Sequence, residues 1–205
     1  MQPAIFLDRD GVINENRADH VTAWADFAPV PGALAGVRAL SGLGLPIFVV
    51  TNQAIVGRGV VTAAALDELH ARMCALLAAQ GGRIGGVYVC PHRPEDTCGC
   101  RKPRPGLFVQ AAHDHGLDLG RSYYVGDALT DVAAGQAAGC TTVVVRTGRG
   151  LAQILCQQAQ PYSGYYVARD LLHAARFIAH DRARKAGRPG LFSALRLALR
   201  DVQLV

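Results

Sequence analysis

Ala4-Ile5-Phe6-Leu7-Asp8-Arg9-Asp10-Gly11-Val12-Ile13 is the stretch that decides the fold. Four apolar residues run straight into two acids one residue apart, followed by a glycine. So short an apolar run reads as a strand buried on both faces. At the strand's end, side chains two residues apart point to the same side, so Asp8 and Asp10 crowd two carboxylates into one small space. A cation belongs there, or one of the acids carries a proton. A polar turn at Gly11 is the other reading, but a turn does not call for two acids behind an apolar strand.

A matching half lies more than a hundred residues on, in Tyr123-Tyr124-Val125-Gly126-Asp127-Ala128-Leu129-Thr130-Asp131. A strand again meets acids, and Asp127 and Asp131 share one face if a helix starts at once. A helix N-cap with a surface acid gives the same pattern when this segment is taken alone. Paired with Asp8 and Asp10, the segment makes four carboxylates at two strand ends, which suits magnesium, a hard cation that takes oxygen ligands. Between them, Val49-Val50-Thr51-Asn52-Gln53 ends a third strand in small polar groups able to hold phosphate oxygens. Lys102, in Arg101-Lys102-Pro103-Arg104-Pro105-Gly106, is the candidate cation for the same cradle.

Apolar runs and helical patterns alternate along the 205 residues. Strands are predicted at 4–8, 45–51, 86–90, 122–126, 141–145 and 164–168, and helices at 32–43, 62–80, 105–116, 129–138 and 169–185. This order predicts a three-layer α/β fold, a Rossmann-like parallel sheet with helices on both faces and no large cap domain. Ligands then bind beyond the carboxyl ends of the strands, where the strand order switches. Residues 1–185 are expected to form the one domain, with 186–205 as a basic, amphipathic extension. Half of the residues are apolar, enough for one sizeable core.

Cys90-Pro91-His92-Arg93-Pro94-Glu95-Asp96-Thr97-Cys98-Gly99-Cys100 holds three thiols and an imidazole with no apolar stretch between them. Cys90, His92, Cys98 and Cys100 make a Cys3His set, which closes a structural zinc site. An incidental cysteine-rich loop remains the alternative. A disulfide is disfavoured because no secretory signal precedes the first strand and cytosolic thiols stay reduced; a cytoplasmic location is expected on the same ground.

Taken in order, Asp8-x-Asp10-Gly11, Thr51, Lys102 and Gly126-Asp127-x-x-x-Asp131 resemble the four motifs of the haloacid dehalogenase superfamily of aspartyl-phosphate phosphatases, over residues 4 to about 170. The resemblance implies that Asp8 is the nucleophile and that Asp10 protonates the leaving alcohol and then activates water. It also implies that magnesium is held by Asp8, the Asp10 carbonyl and Asp127, with Asp131 behind them, while Thr51 and Lys102 stabilise the transferring group. The zinc loop with Arg101-Lys102-Pro103-x-Pro105-Gly106 resembles the histidinol-phosphatase-like branch. Its loops imply substrate contacts at Asn16, Arg17, Asp19, Asn52, Gln53, Arg58 and Arg101. The substrate implied is a small phosphorylated sugar, foremost a heptose 1,7-bisphosphate losing its 7-phosphate on the way to nucleotide-heptose and surface polysaccharide. Histidinol phosphate is the alternative, and Arg58 and Arg101 favour an anionic second group over it.

A third class, nucleic-acid end processing or a zinc-binding interaction module, is tested by the placement of charge. The net charge is +5, but residues 1–168 hold thirteen basic and thirteen acidic residues, so the excess lies in the tail. No basic, aromatic-interleaved patch marks the catalytic portion, which argues against nucleic acid. No run reaches the ~18 apolar residues of a membrane span. Leu191, Phe192, Leu195, Leu199 and Val202 form a helical apolar stripe that packs on its own domain, meets another subunit or lies on a membrane surface. A monomer or weak homodimer is expected. The histidines outside the zinc loop, His70 among them, show no ligand spacing and are assigned to surface or capping positions; Cys74, Cys140 and Cys156 are assigned to small buried hydrophobic positions.

Overall fold

The computed structural model describes residues 1–156, 162–187 and 202–205. Among them are β1 (Ile5–Leu7), α1 (Ala33–Ser41), β2 (Ile47–Asn52), α2 (Ala54–Gly57), α3 (Ala63–Ala79), β3 (Gly86–Cys90), α4 (Gly106–His115), β4 (Tyr123–Gly126), α5 (Leu129–Ala137), β5 (Thr141–Val145), α6 (Gly150–Leu155), β6 (Tyr166–Ala168), α7 (Leu171–Lys185) and β7 (Gln203–Leu204). One sheet runs β3-β2-β1-β4-β5-β6-β7. The first six strands are parallel, and β7 adds an antiparallel edge.

β1 is central because its residues are apolar on both sides. Ile5 and Leu7 enter a core shared with Val37 and Leu40 of α1, Met73 and Leu77 of α3 and Leu171 and Ile178 of α7. Ala4 and Phe6 face the opposite layer, with Leu107, Phe108 and Ala111 of α4 and Ala134 of α5. Helices therefore cover both faces, as parallel sheets require. Leu7 pairs with Val49 on one side and Val125 on the other. Just beyond these residues, Asp8, Thr51 and Asp127 thus emerge at the carboxyl end of the sheet. The chain builds outward from β1 through β2 and β3, then returns to place β4 on the other side, so the switch in strand order lies at this end of β1.

All six predicted strands and all five predicted helices are present, with ends shifted by no more than two residues. The additions are short. α2 and α6 are too brief to show a helical period, and β7 is two residues within the segment expected to be an extension. The apolar stripe at Leu191, Phe192, Leu195 and Leu199 lies outside the described residues; Val202 packs against the core cluster of β1. Three assignments are corrected. His173 is buried at the start of α7, where Asp170 is the cap. His70 is buried, not on the surface, because it sits on the same side of α3 as Leu66, Leu69, Met73 and Leu77. Cys156 is exposed at the end of α6, whereas Cys140 is buried and Cys74 half-buried.

Candidate active site and metal-binding loop

Asp8 leaves β1 into a cleft of about 730 Å³ lined by Asp10, Asn16, Thr51, Gln53, Lys102 and Asp131, among others. Gly11 makes the turn possible: its φ is 82°, and a Cβ there would overlap the Asp127 carboxylate. Gly148, also at positive φ, packs beside Gly11 against the same Asp127 oxygen, where a Cβ would overlap both.

Lys102 reaches into the sheet's edge, where its Nζ lies 2.9 Å from Asp8 Oδ2 and 2.8 Å from Asp131 Oδ1. It also donates to Tyr124 Oη at 2.9 Å, and that hydroxyl donates in turn to Asp131 Oδ1 at 2.8 Å. Asp131 accepts from the backbone N–H groups of Asp127 and Ala128, both at 3.0 Å, so it satisfies two of the donors left open at the start of α5. Its position is fixed on both sides. Burial works against the charge of Asp131, but Lys102 and these hydrogen bonds hold its carboxyl below the usual range.

Asp10 is held differently. Arg9, which is fully buried, donates from Nε to Asp10 Oδ1 at 3.0 Å and from Nη2 to both carboxylate oxygens at 2.9 Å. Asn14 and Gln53 each add a donor at 2.8 Å. Burial raises the Asp10 pKa, yet Arg9 and the two amides outweigh it and leave the carboxyl below its ordinary value. Gln53 also donates to Thr51 Oγ1 at 2.9 Å, which ties the end of β2 to the end of β1.

The donor set calls for a cation. Oxygens of Asp8, Asp127 and Asp131 lie within 4.8 Å of one another. Four carboxylates, counting Asp10, face three cations, Arg9, Lys102 and Arg149. Burial, and then the neighbouring carboxylates, push the Asp8 carboxyl up to about 7 against the pull of Lys102. An uncompensated negative charge in a buried, oxygen-only site fits a hard divalent ion such as magnesium.

The loop from Cys90 to Cys100 gathers its four candidate ligands. Cys90 Sγ lies 3.7 Å from His92 Nδ1 and 3.6 Å from Cys98 Sγ, and Cys100 Sγ lies 3.3 Å from His92 Nδ1 and 3.5 Å from Cys98 Sγ. Bonds of about 2.3 Å to sulfur and 2.0–2.1 Å to nitrogen at tetrahedral angles require ligand separations of roughly 3.5–3.8 Å, so these four side chains are spaced for one tetrahedral ion. The loop continues into Arg101, whose Nη1 donates to the His92 carbonyl at 3.1 Å. It then reaches Lys102, whose backbone exchanges hydrogen bonds with the Asn52 side chain at 3.1 and 3.2 Å.

The remaining expected substrate contacts are divided. Asn16, Arg17, Asn52, Gln53, Arg58 and Arg101 line the cleft. Asp19 does not; it is exposed and holds the Arg17 guanidinium through contacts of 2.9 and 2.6 Å. Arg9, Asn14, Tyr124 and Arg149 escaped the sequence reading. Arg149 donates its backbone N–H to Asp127 Oδ2 at 2.8 Å, from a loop whose sequence carries no signal beyond its glycines.

A family model described as HAD-hydrolase-like matches residues 99–174. The D-glycero-beta-D-manno-heptose-1,7-bisphosphate 7-phosphatase of Pseudomonas aeruginosa is 40% identical over 147 residues, covering 72% of this chain and 83% of that protein. The chain belongs to the heptose 1,7-bisphosphate phosphatase family of HAD-like hydrolases. Its Bordetella bronchiseptica relative of the same name is 36% identical over 171 residues, covering 83% of this chain and 94% of that one. The crystal structure of the D,D-heptose 1,7-bisphosphate phosphatase from B. bronchiseptica, complexed with magnesium and phosphate, superposes with a TM-score of 0.82 at 33% identity, over 88% of this chain and 99% of that chain. Among the described residues, no helix of this phosphatase is long and apolar enough to cross a membrane.

Proposed function

We propose that the chain removes the 7-phosphate from D-glycero-β-D-manno-heptose 1,7-bisphosphate by way of a phosphorylated Asp8. The observation that carries this reading is the Lys102 ammonium shared between Asp8 and Asp131 in a cleft that Asp10 and Thr51 also line, within a chain whose curated relatives bear that activity's name. An Asp8 oxygen attacks phosphorus, the bond from phosphorus to the C7 oxygen breaks, and Asp10, which must first take up a proton against the pull of Arg9, gives that proton to the C7 oxygen. Water then gives its proton to Asp10 and attacks the phosphorus of the acyl phosphate, releasing inorganic phosphate and the Asp8 carboxylate. Lys102 and Thr51 bind the equatorial oxygens as charge spreads over them. Magnesium, held by Asp8, the Asp10 carbonyl and Asp127, neutralises charge between nucleophile and phosphate when bound.

Zinc on Cys90, His92, Cys98 and Cys100 is structural in this reading, since four protein ligands leave no open position. It braces the loop that carries Arg101, which with Arg58 and Arg17 meets the phosphate left on C1. Residues 1–185 carry the chemistry, and Gln203–Leu204 add an antiparallel edge strand to the same sheet. The reduced thiols fit a cytoplasmic enzyme, acting as a monomer or weak homodimer. A panel of both heptose bisphosphate anomers, histidinol phosphate and a 3′-phosphorylated oligonucleotide tests the assignment, with Asp8→Asn as control. The β anomer should have the highest kcat/KM, and Asp8→Asn should lose at least about a thousandfold. Preference for histidinol phosphate, or activity retained by Asp8→Asn, rules the reading out.

A further inference from the structure

Arg9 is a charged side chain buried completely behind the active site, and its guanidinium has two working edges. One edge, Nε and Nη2, clamps Asp10. The other, Nη1, lies 3.1 Å from His70 Nε2 on α3. Arginine can only donate, so His70 Nε2 is the acceptor and the imidazole is neutral. Burial, and then the charge of Arg9, push the His70 pKa down to about 4, which keeps the ring in that state at neutral pH.

We infer that His70 is a positioning residue for the reaction: by accepting from Arg9 Nη1 it fixes the plane of the guanidinium that aims Asp10 at the leaving oxygen. Without that contact, the guanidinium rotates about its last bonds to find a partner for Nη1, and Asp10 moves with it. Asn14 and Gln53 hold Asp10 from other directions and cannot set the angle of the Arg9 fork. The inference rests on the reading of Asp10 as the general acid, and the experiment separates the two.

Two aryl phosphates of nearly the same shape supply the readout. Phenyl phosphate has a basic leaving group that needs a proton, whereas 4-nitrophenyl phosphate releases a stabilised anion that needs little help. kcat/KM reports steps up to loss of the leaving group and so isolates proton donation from the later hydrolysis. His70→Leu should lose about tenfold or more on phenyl phosphate and less than about threefold on 4-nitrophenyl phosphate, a partial loss of the gain that a placed acid provides. His70→Gln, whose side-chain oxygen can occupy the Nε2 position, should recover to within about threefold on both. Asp10→Asn should show the same selectivity, more strongly. Equal losses for Asp10→Asn on the two esters remove the general-acid reading and the inference with it. Selective loss for Asp10→Asn with equal losses, or no loss, for His70→Leu overturns the inference alone. Should His70→Leu not fold, His70→Asn, which is too short to place an acceptor at Nε2, takes its place: selective loss in Asn and not in Gln supports the inference, and like behaviour of the two overturns it.

Discussion

Asp8 and Lys102, 94 residues apart in the chain, form a buried salt bridge of 2.9 Å at the carboxyl end of the sheet. Their meeting depends on two separate pieces of chain. β1 delivers Asp8, and the loop closed by Cys90, His92, Cys98 and Cys100 delivers Lys102, whose ammonium continues to Asp131 at 2.8 Å. One cation thus separates two buried carboxylates.

Lys102→Met tests that arrangement, because it keeps an unbranched chain and removes the charge. The variant should lose on the order of a hundredfold to a thousandfold in kcat, the usual loss for one preorganised donor to the transferring group. Asp8 and Asp131 would also be left buried without their partner, which costs about 3–5 kcal/mol of folding stability. Steady-state rates and urea unfolding measure the two effects. A variant with normal kcat would remove Lys102 from the chemistry.

The zinc loop yields a second expectation. Purified protein should carry about one equivalent of zinc, and Cys98→Ser should lose it, since one of four ligands is gone. Selectivity for the sugar bisphosphate should fall before hydrolysis of 4-nitrophenyl phosphate does, because Arg101 is tied to the His92 carbonyl of the loop, whereas Lys102 is also held by Asn52, Asp8 and Asp131. Elemental analysis finding less than about half an equivalent in fully active protein would count against the site.

Arg101 lines the cleft with one nitrogen tied to the His92 carbonyl, so part of its planar fork remains for a ligand. Arg101→Ala should cost about 2–3 kcal/mol in kcat/KM on the bisphosphate, the scale of a charged hydrogen bond, and much less on a monophosphate. Equal losses on both would move Arg101 from the second phosphate to the transferring one or to the fold.

The parallel sheet was legible because Ala4-Ile5-Phe6-Leu7 and Val49-Val50 are apolar without alternation, the pattern of strands covered on both faces. The acids were legible because nothing in packing asks for Asp8, Asp10 and Asp127 at strand ends. Arg9 was not. Between two acids it reads as a compensating surface charge, and only the fold shows it wholly buried. A signal did exist: His70 falls on the apolar stripe of Leu66, Leu69, Met73 and Leu77, where a polar ring needs a buried partner. Asp19 was placed among substrate contacts because it shares a loop with Asn16, but its carboxylate turns outward to Arg17. β7 left no trace, since two residues cannot show a period and its pairing with Tyr166 and Val167 is set by the sheet edge.

His70 also makes the protein sensitive to acid in a way that can be read without any substrate. Its folded pKa is about 4 against an ordinary 6.5, so between those values the unfolded chain binds a proton that the folded chain does not. Stability therefore falls as pH drops from about 6.5 toward 4. The span of 2.5 pH units between those two values corresponds to about 3 kcal/mol at most, at 1.36 kcal/mol per unit. His70→Gln retains an acceptor for Arg9 and has nothing to protonate, so its stability should decline less over the same interval. Urea unfolding of the two proteins at pH 7 and at pH 4.5 measures the difference, which should grow by about 2–3 kcal/mol in favour of His70→Gln on going to the lower pH. A difference that stays constant would mean that the imidazole is solvated or already charged in the folded state, and that Arg9 is not its neighbour in solution.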